Sequence, residues 1–193
     1  RPSPGGRGCK LCEEIEMEVM QSNASTDADA FLQCARSGLA KGLGKIKHCL
    51  DQLDDKQVWS RPRPEMNSIA NILLHLCGNL RQWIISGVGG SPDVRNRPGE
   101  FADRSMKPKA ELVGDLVNVV GQCDEVLSHV DPKSLLQMRR IQGFEVQRMA
   151  GIFDTVAHFQ GHVQEIIHMT RGILGPAYRF DFVPKGKEQG GTE

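Results

Sequence analysis

The stretch Ala150-Gly151-Ile152-Phe153-Asp154-Thr155-Val156-Ala157-His158-Phe159-Gln160-Gly161-His162-Val163-Gln164-Glu165-Ile166-Ile167 decides the reading of this chain. Ile152, Phe153, Val156, Phe159, Val163, Ile166 and Ile167 recur at helical spacing, the stripe of an amphipathic helix. The period predicts a helix over about 150–174, terminated by Gly175-Pro176. His158 and His162 stand four apart, one turn above each other on one face. Two imidazoles so placed can hold one metal ion. Asp154 extends the row on one side, where it can accept a hydrogen bond from His158. Glu165 lies one turn beyond His162, as a fourth ligand, a hydrogen-bond acceptor behind a ligand, or a general base.

The second helix, about 68–86, carries a comparable row. Asn71, His75 and Asn79 are four apart beside the apolar Ile72, Leu76 and Leu80, and Asn67-Ser68 supplies a cap. A polar row next to a core stripe must find partners. One solution is a metal held by His75, with Asn71 or Asn79 orienting a neighbour. His75 from one helix and His158 and His162 from a facing one make a three-histidine set, with a position left for water or substrate. The competing reading is a set of satisfied core histidines without a metal.

Two further helices complete the pattern. Phe31, Leu32, Leu39, Leu43, Ile46 and Leu50 mark one over about 28–53, where Gly38, Gly42 and Gly44 suit close helix approach. Leu112, Leu116, Val119, Cys123 and Val126 mark another over about 106–130, with Ser105 before it. Residues 134–148 alternate like a small hairpin or an extended crossover. The loop over 87–105, with Arg95, Arg97 and Glu100, is long enough to border a pocket. The expected fold is all-α, a four-helix bundle with long crossover connections over residues 28–183. A leader over 1–27, with a short helix near 11–21, precedes it, and a disordered tail over 184–193 follows.

Composition narrows the function. Lys plus Arg and Asp plus Glu are both 24, and no basic stripe speaks for nucleic acid. The apolar run over 68–86 is broken by Asn71, His75, Asn79, Arg81 and Gln82, so no membrane span is expected. The start has no apolar leader segment, and a reducing cytoplasm is the expectation. The six cysteines are spaced irregularly, and the Cys9-Lys10-Leu11-Cys12 pair lacks the second pair of a zinc ribbon. Phe159 stands where a zinc peptidase HExxH motif has its glutamate, and no nucleotide or hydrolase signature is present.

On Asn67 to Asn79 and His158 to Ile167 the chain resembles the DinB-like metal-binding superfamily. The resemblance implies a four-helix bundle holding a divalent metal through one histidine of the second helix, here His75, and a pair on the last, here His158 and His162. Many members have Arg-Gly-Gln after the last histidine; here it is Val163-Gln164-Glu165. Some relatives transfer or isomerise with low-molecular-weight thiols, and dimers are common. The reading is therefore a divalent-metal protein (zinc, nickel, manganese or iron), acting as a thiol S-transferase on a small-molecule thiol, with Glu165 as the base. The alternatives are a metal-dependent hydrolase, a non-catalytic metal-stabilised bundle, and a stress-linked interaction module.

Overall fold

The computed structural model describes the backbone of residues 10–181 and the side chains of residues 27–181. Cys9, the first eight residues and the tail over 184–193 lie outside the described residues, as does the Cys12 side chain. The elements are α1 (Lys10–Leu50), α2 (Asp55–Trp59), α3 (Ile69–Leu80), α4 (Arg97–Ala102), α5 (Lys109–Ser128), β1 (Met138–Ile141), β2 (Phe144–Gln147) and α6 (Arg148–Leu174). A π-helical stretch, Arg81–Val88, continues α3.

The expected all-α four-helix bundle is what forms. α1 packs on α5 and α6, and α3 packs on the same two, so α1 and α3 lie diagonally opposite. The α1–α3 and α5–α6 connections therefore both cross the bundle, whereas α3 and α5 are neighbours. Leu39 and Ile46 of α1, Leu73 and Leu76 of α3, Leu112 and Leu116 of α5, and Phe159 of α6 are fully buried between them. Each such side chain contributes about 1.5–3 kcal/mol. Gly42 is what lets α1 meet α6, since a Cβ there would stand 2.6 Å from Phe159 Cε1.

Several boundaries differ from expectation. α1 runs unbroken from Lys10 through the polar stretch Ser22–Asp29. That stretch holds Ala24 and Ala28 and neither Gly nor Pro, so nothing in it opposes helix, and its capping residues act only at a terminus. α2 was not expected. Asp54 and Gln57 start it with a reciprocal capping box. Within the expected loop over 87–105, Asn96 caps α4, with Pro98 in its first turn. α5 begins after Pro108 rather than Ser105, because a residue before proline avoids helical ψ.

The expected hairpin is present as β1 paired antiparallel with β2. Its two-residue turn has Gln142 at φ 52° and Gly143 at φ 85°, the positive pair that matches strand twist. Ile141 is buried against Gly87 at the end of the π-helical stretch, which seats the hairpin beside the mouth of the bundle. Tyr178 packs back on the core, and Gln52 accepts from Arg179 N at 2.8 Å, as expected of that segment. Among the described residues no helix is long and apolar enough to cross a membrane.

Candidate metal centre

His75, His158 and His162 meet, as their spacing predicts. α3 and α6 are adjacent, and both histidine rows turn to their interface. The His75 ring centroid is 5.1 Å from each of the other two, which are 4.5 Å apart. His75 Nε2 lies 2.9 Å from His158 Nε2, and one nitrogen from each ring falls within 4.8 Å of the others. His75 is 5% exposed, His162 is half-buried, and His158 stands at the open side.

The outward nitrogens are held by carboxylates. His75 Nδ1 lies 3.0 Å from Glu100 Oε2, the carboxylate that accepts its proton, with Arg95 Nη2 3.1 Å from the same nitrogen, and His162 Nδ1 donates to Glu165 Oε2 at 2.7 Å. That tautomer leaves Nε2 of each ring as the lone pair, and His75 Nε2 faces His158. Nitrogen ligands at about 2 Å from an ion such as zinc stand roughly 3–3.5 Å apart. The three imidazoles are thus an electron-rich set of the size and chemistry that a divalent cation completes.

Glu100 is the residue that sequence reasoning placed only at the pocket border. It comes from α4 and is nearly buried. Arg95 clamps it through Nε at 2.7 Å and Nη2 at 2.9 Å. The Arg95 and Glu100 side chains are 4% and 8% exposed. Arg95 in turn donates to Gln82 Oε1 at 2.9 Å, and Gln82 donates to Asp93 Oδ2 at 2.8 Å. A Cβ at Gly78 would collide with Glu100 Oε1, so glycine on α3 is what admits the carboxylate.

Asn71 does not orient His75. It is the third residue of a capping box with Ser68, and its Nδ2 donates to the Glu100 carbonyl at 2.9 Å. Asn71 therefore pins the segment that carries Glu100. Asp154 makes no hydrogen bond with His158 and stays exposed, because the His158 ring turns to His75. Asn79 lines the open side, and its Oδ1 is buried without a hydrogen-bond partner among the described residues. Of the loop arginines, Arg95 is structural, and Arg97 stacks 5.1 Å from the Phe101 ring centre.

Desolvation lowers the pKa of His75, opposed by the Glu100 hydrogen bond and aided by His162 and Arg95. Desolvation, with the charges of His162 and His75 next, pushes His158 down to about 4. Both imidazoles are neutral near pH 7, the state that ligates metals. Cys77, two residues from His75, is buried, and desolvation pushes its thiol up to about 12. It is not a nucleophile for this site.

A cavity of about 410 Å³ opens on the histidines. Trp83 of the π-helical stretch, Arg97, Gln142 of the hairpin turn and Asp154 line it. Single π-turns recur at functional sites.

The family described as "Protein of unknown function (DUF1572)" matches residues 26–187. The chain belongs to that family. DUF1572 is DinB-like, which places this DUF1572 protein in the superfamily that the three histidines resemble. Among solved structures, a conserved protein from Enterococcus faecalis superposes with a TM-score of 0.65 at 15% identity, over 74% of this chain and 96% of that one. A DinB-like protein from Bacillus cereus superposes with a TM-score of 0.59 at 16% identity, over 75% of this chain and 91% of that one. At these identities the likeness concerns the DUF1572 fold. No functionally curated protein matches the chain in sequence.

Proposed function

We propose that this DUF1572 protein binds a divalent metal through His75, His158 and His162, and that it is a metal-dependent thiol S-transferase acting on a small-molecule thiol. The observation that carries the metal reading is the convergence of the three rings with the Nδ1 protons of His75 and His162 fixed outward by Glu100 and Glu165. A bound metal supplies Lewis acidity, lowering the pKa of a thiol or water. The protein residues do the positioning. Arg95 and Glu100 hold the tautomer of His75. Glu165 holds that of His162, so its proposed part is positioning in the resting site, and the proposed base role would act through that imidazole. Arg97, Asp154 and Gln142 supply a cation, an anion and an amide around the cavity for a polar substrate. The thiol comes from the substrate, since Cys77 and Cys123 are buried with raised pKa values.

The exposed His158 and the cavity beside it favour a reactive centre over a closed structural one. Elemental analysis of untagged protein, wild type beside His75→Ala and His158→Ala, tests the metal. Near one equivalent in wild type and loss in both variants is expected. Absence of metal in the wild type, with no uptake of added zinc, nickel, manganese or iron, removes the proposal. Metal-dependent consumption of a low-molecular-weight thiol with an electrophile then separates transferase from hydrolase and from a non-catalytic bundle.

A further inference from the structure

We propose a second ligand site, distinct from the histidine centre, in which Arg61 binds the carboxylate of an amphipathic molecule. Arg61 follows α2 and is half-buried. Its Nη2 donates to Asn71 Oδ1 and, at 3.4 Å, to the Asp103 carbonyl, both neutral acceptors. Its Nε is buried with no hydrogen-bond partner among the described residues. No described carboxylate lies within ion-pair distance of it. Desolvation and then the charge of Arg104, which donates to the same Asp103 carbonyl at 2.7 Å, both work against the Arg61 charge. A half-buried guanidinium beside another cation and without a counter-ion favours an anion from outside.

The space for that anion is present. Arg61 lines a cavity of about 700 Å³ between the α2–α3 connection and the C-terminal half of α6. Pro62, Met66, Met169 and Ile173 form its apolar wall, while Ser60, Asn67 and His168 add polar edges. A guanidinium without an ion-pair partner beside the apolar wall of Pro62, Met66, Met169 and Ile173 suits a monoanion with an apolar body, seated at the Arg61 end, which is the chemistry of a medium-chain or aromatic carboxylate. Glu65 and Glu165 also line the cavity. Neither pairs with Arg61, and Glu165 is held by His162.

Isothermal titration of the full chain with octanoate, and with octanol as the neutral control, tests this. Saturable binding of octanoate and none of octanol is expected. Arg61→Met removes the uncompensated charge while Asn71 Oδ1 keeps the Ser68 hydroxyl at 2.8 Å. That variant is expected to melt no lower than wild type and to bind octanoate at least about tenfold more weakly. Gly172→Phe gives a second readout at a cavity position where a Cβ meets nothing within 4 Å. It adds bulk at the cavity wall while leaving the Arg61 charge in place, and it too is expected to lose binding. Octanoate that does not bind wild type, binds no better than octanol, or binds Arg61→Met and wild type alike overturns the proposal.

Discussion

Glu100 Oε2 accepts the Nδ1 proton of His75 at 3.0 Å, across 25 residues of chain. It does so from a short helix in the α3–α5 connection, α4, whose backbone Asn71 also pins. This contact fixes which His75 nitrogen faces the other histidines, and so whether the three rings form a ligand set.

Glu100 therefore tunes the metal from behind its ligand. Glu100→Gln is expected to weaken metal binding by about 10–100-fold, measured by competition with a chromophoric chelator. Glu100→Ala also strands the buried Arg95 charge and is expected to cost about 3–5 kcal/mol in urea unfolding. Wild-type metal affinity in both variants would remove Glu100 from the site.

Helix propensity and site geometry make opposite forecasts at Gly78. Alanine in a helix is favoured over glycine by about 1 kcal/mol. Here the added Cβ meets Glu100, so Gly78→Ala is expected to destabilise by about 1–3 kcal/mol and to loosen the metal. Gly114→Ala on α5 meets open space and is expected to stabilise by up to about 1 kcal/mol. Chemical denaturation of the two variants side by side decides it, and a stabilised Gly78→Ala would contradict the packing.

The metal-free protein carries a pH signature. His75 and His158 have folded-state pKa values below the usual value near 6.5, His158 at about 4. Between those limits the unfolded chain binds more protons than the folded one, so stability is full above about pH 6.5 and declines as pH falls toward 4. The lowered carboxylates Asp93, Asp103 and Asp124 act below that window. Melting temperature in chelator is expected to drop from pH 6.5 to 4, and less steeply in His158→Asn. Parallel pH curves for the two proteins would count against the influence of its neighbours on the His158 ring.

Thiol reactivity is expected to divide the cysteines. Cys34 is exposed, whereas Cys49, Cys77 and Cys123 are buried. Desolvation pushes the Cys77 and Cys123 thiols up to about 12. In a Cys9→Ser, Cys12→Ser background, a disulfide reagent is expected to modify Cys34 quickly and the other three only on unfolding. Fast modification of Cys77 in the folded protein would reopen a role for it.

The sequence by itself determined the helices of the bundle and the three histidines. The 3.6-residue period is a local property, and it already sets His158 above His162 and His75 among buried neighbours. Gly38 and Gly42 of α1 were legible as sites of close approach, though Gly44 faces open space, and the alternation over 134–148 was legible as the hairpin. Tertiary structure decided what stands behind the ligands. Asn71 sits in phase with His75, yet its amide is taken by the cap and the Glu100 carbonyl. Asp154 sits in phase with His158, yet the ring turns to His75 across the helix interface. The Glu100–His75 bond has no periodic signal, because it arises when Arg95, Gly78 and Asn71 dock a distant loop on α3. Periodicity reports which face of a helix is buried. Which polar group satisfies a buried histidine depends on elements that meet only once the chain has packed.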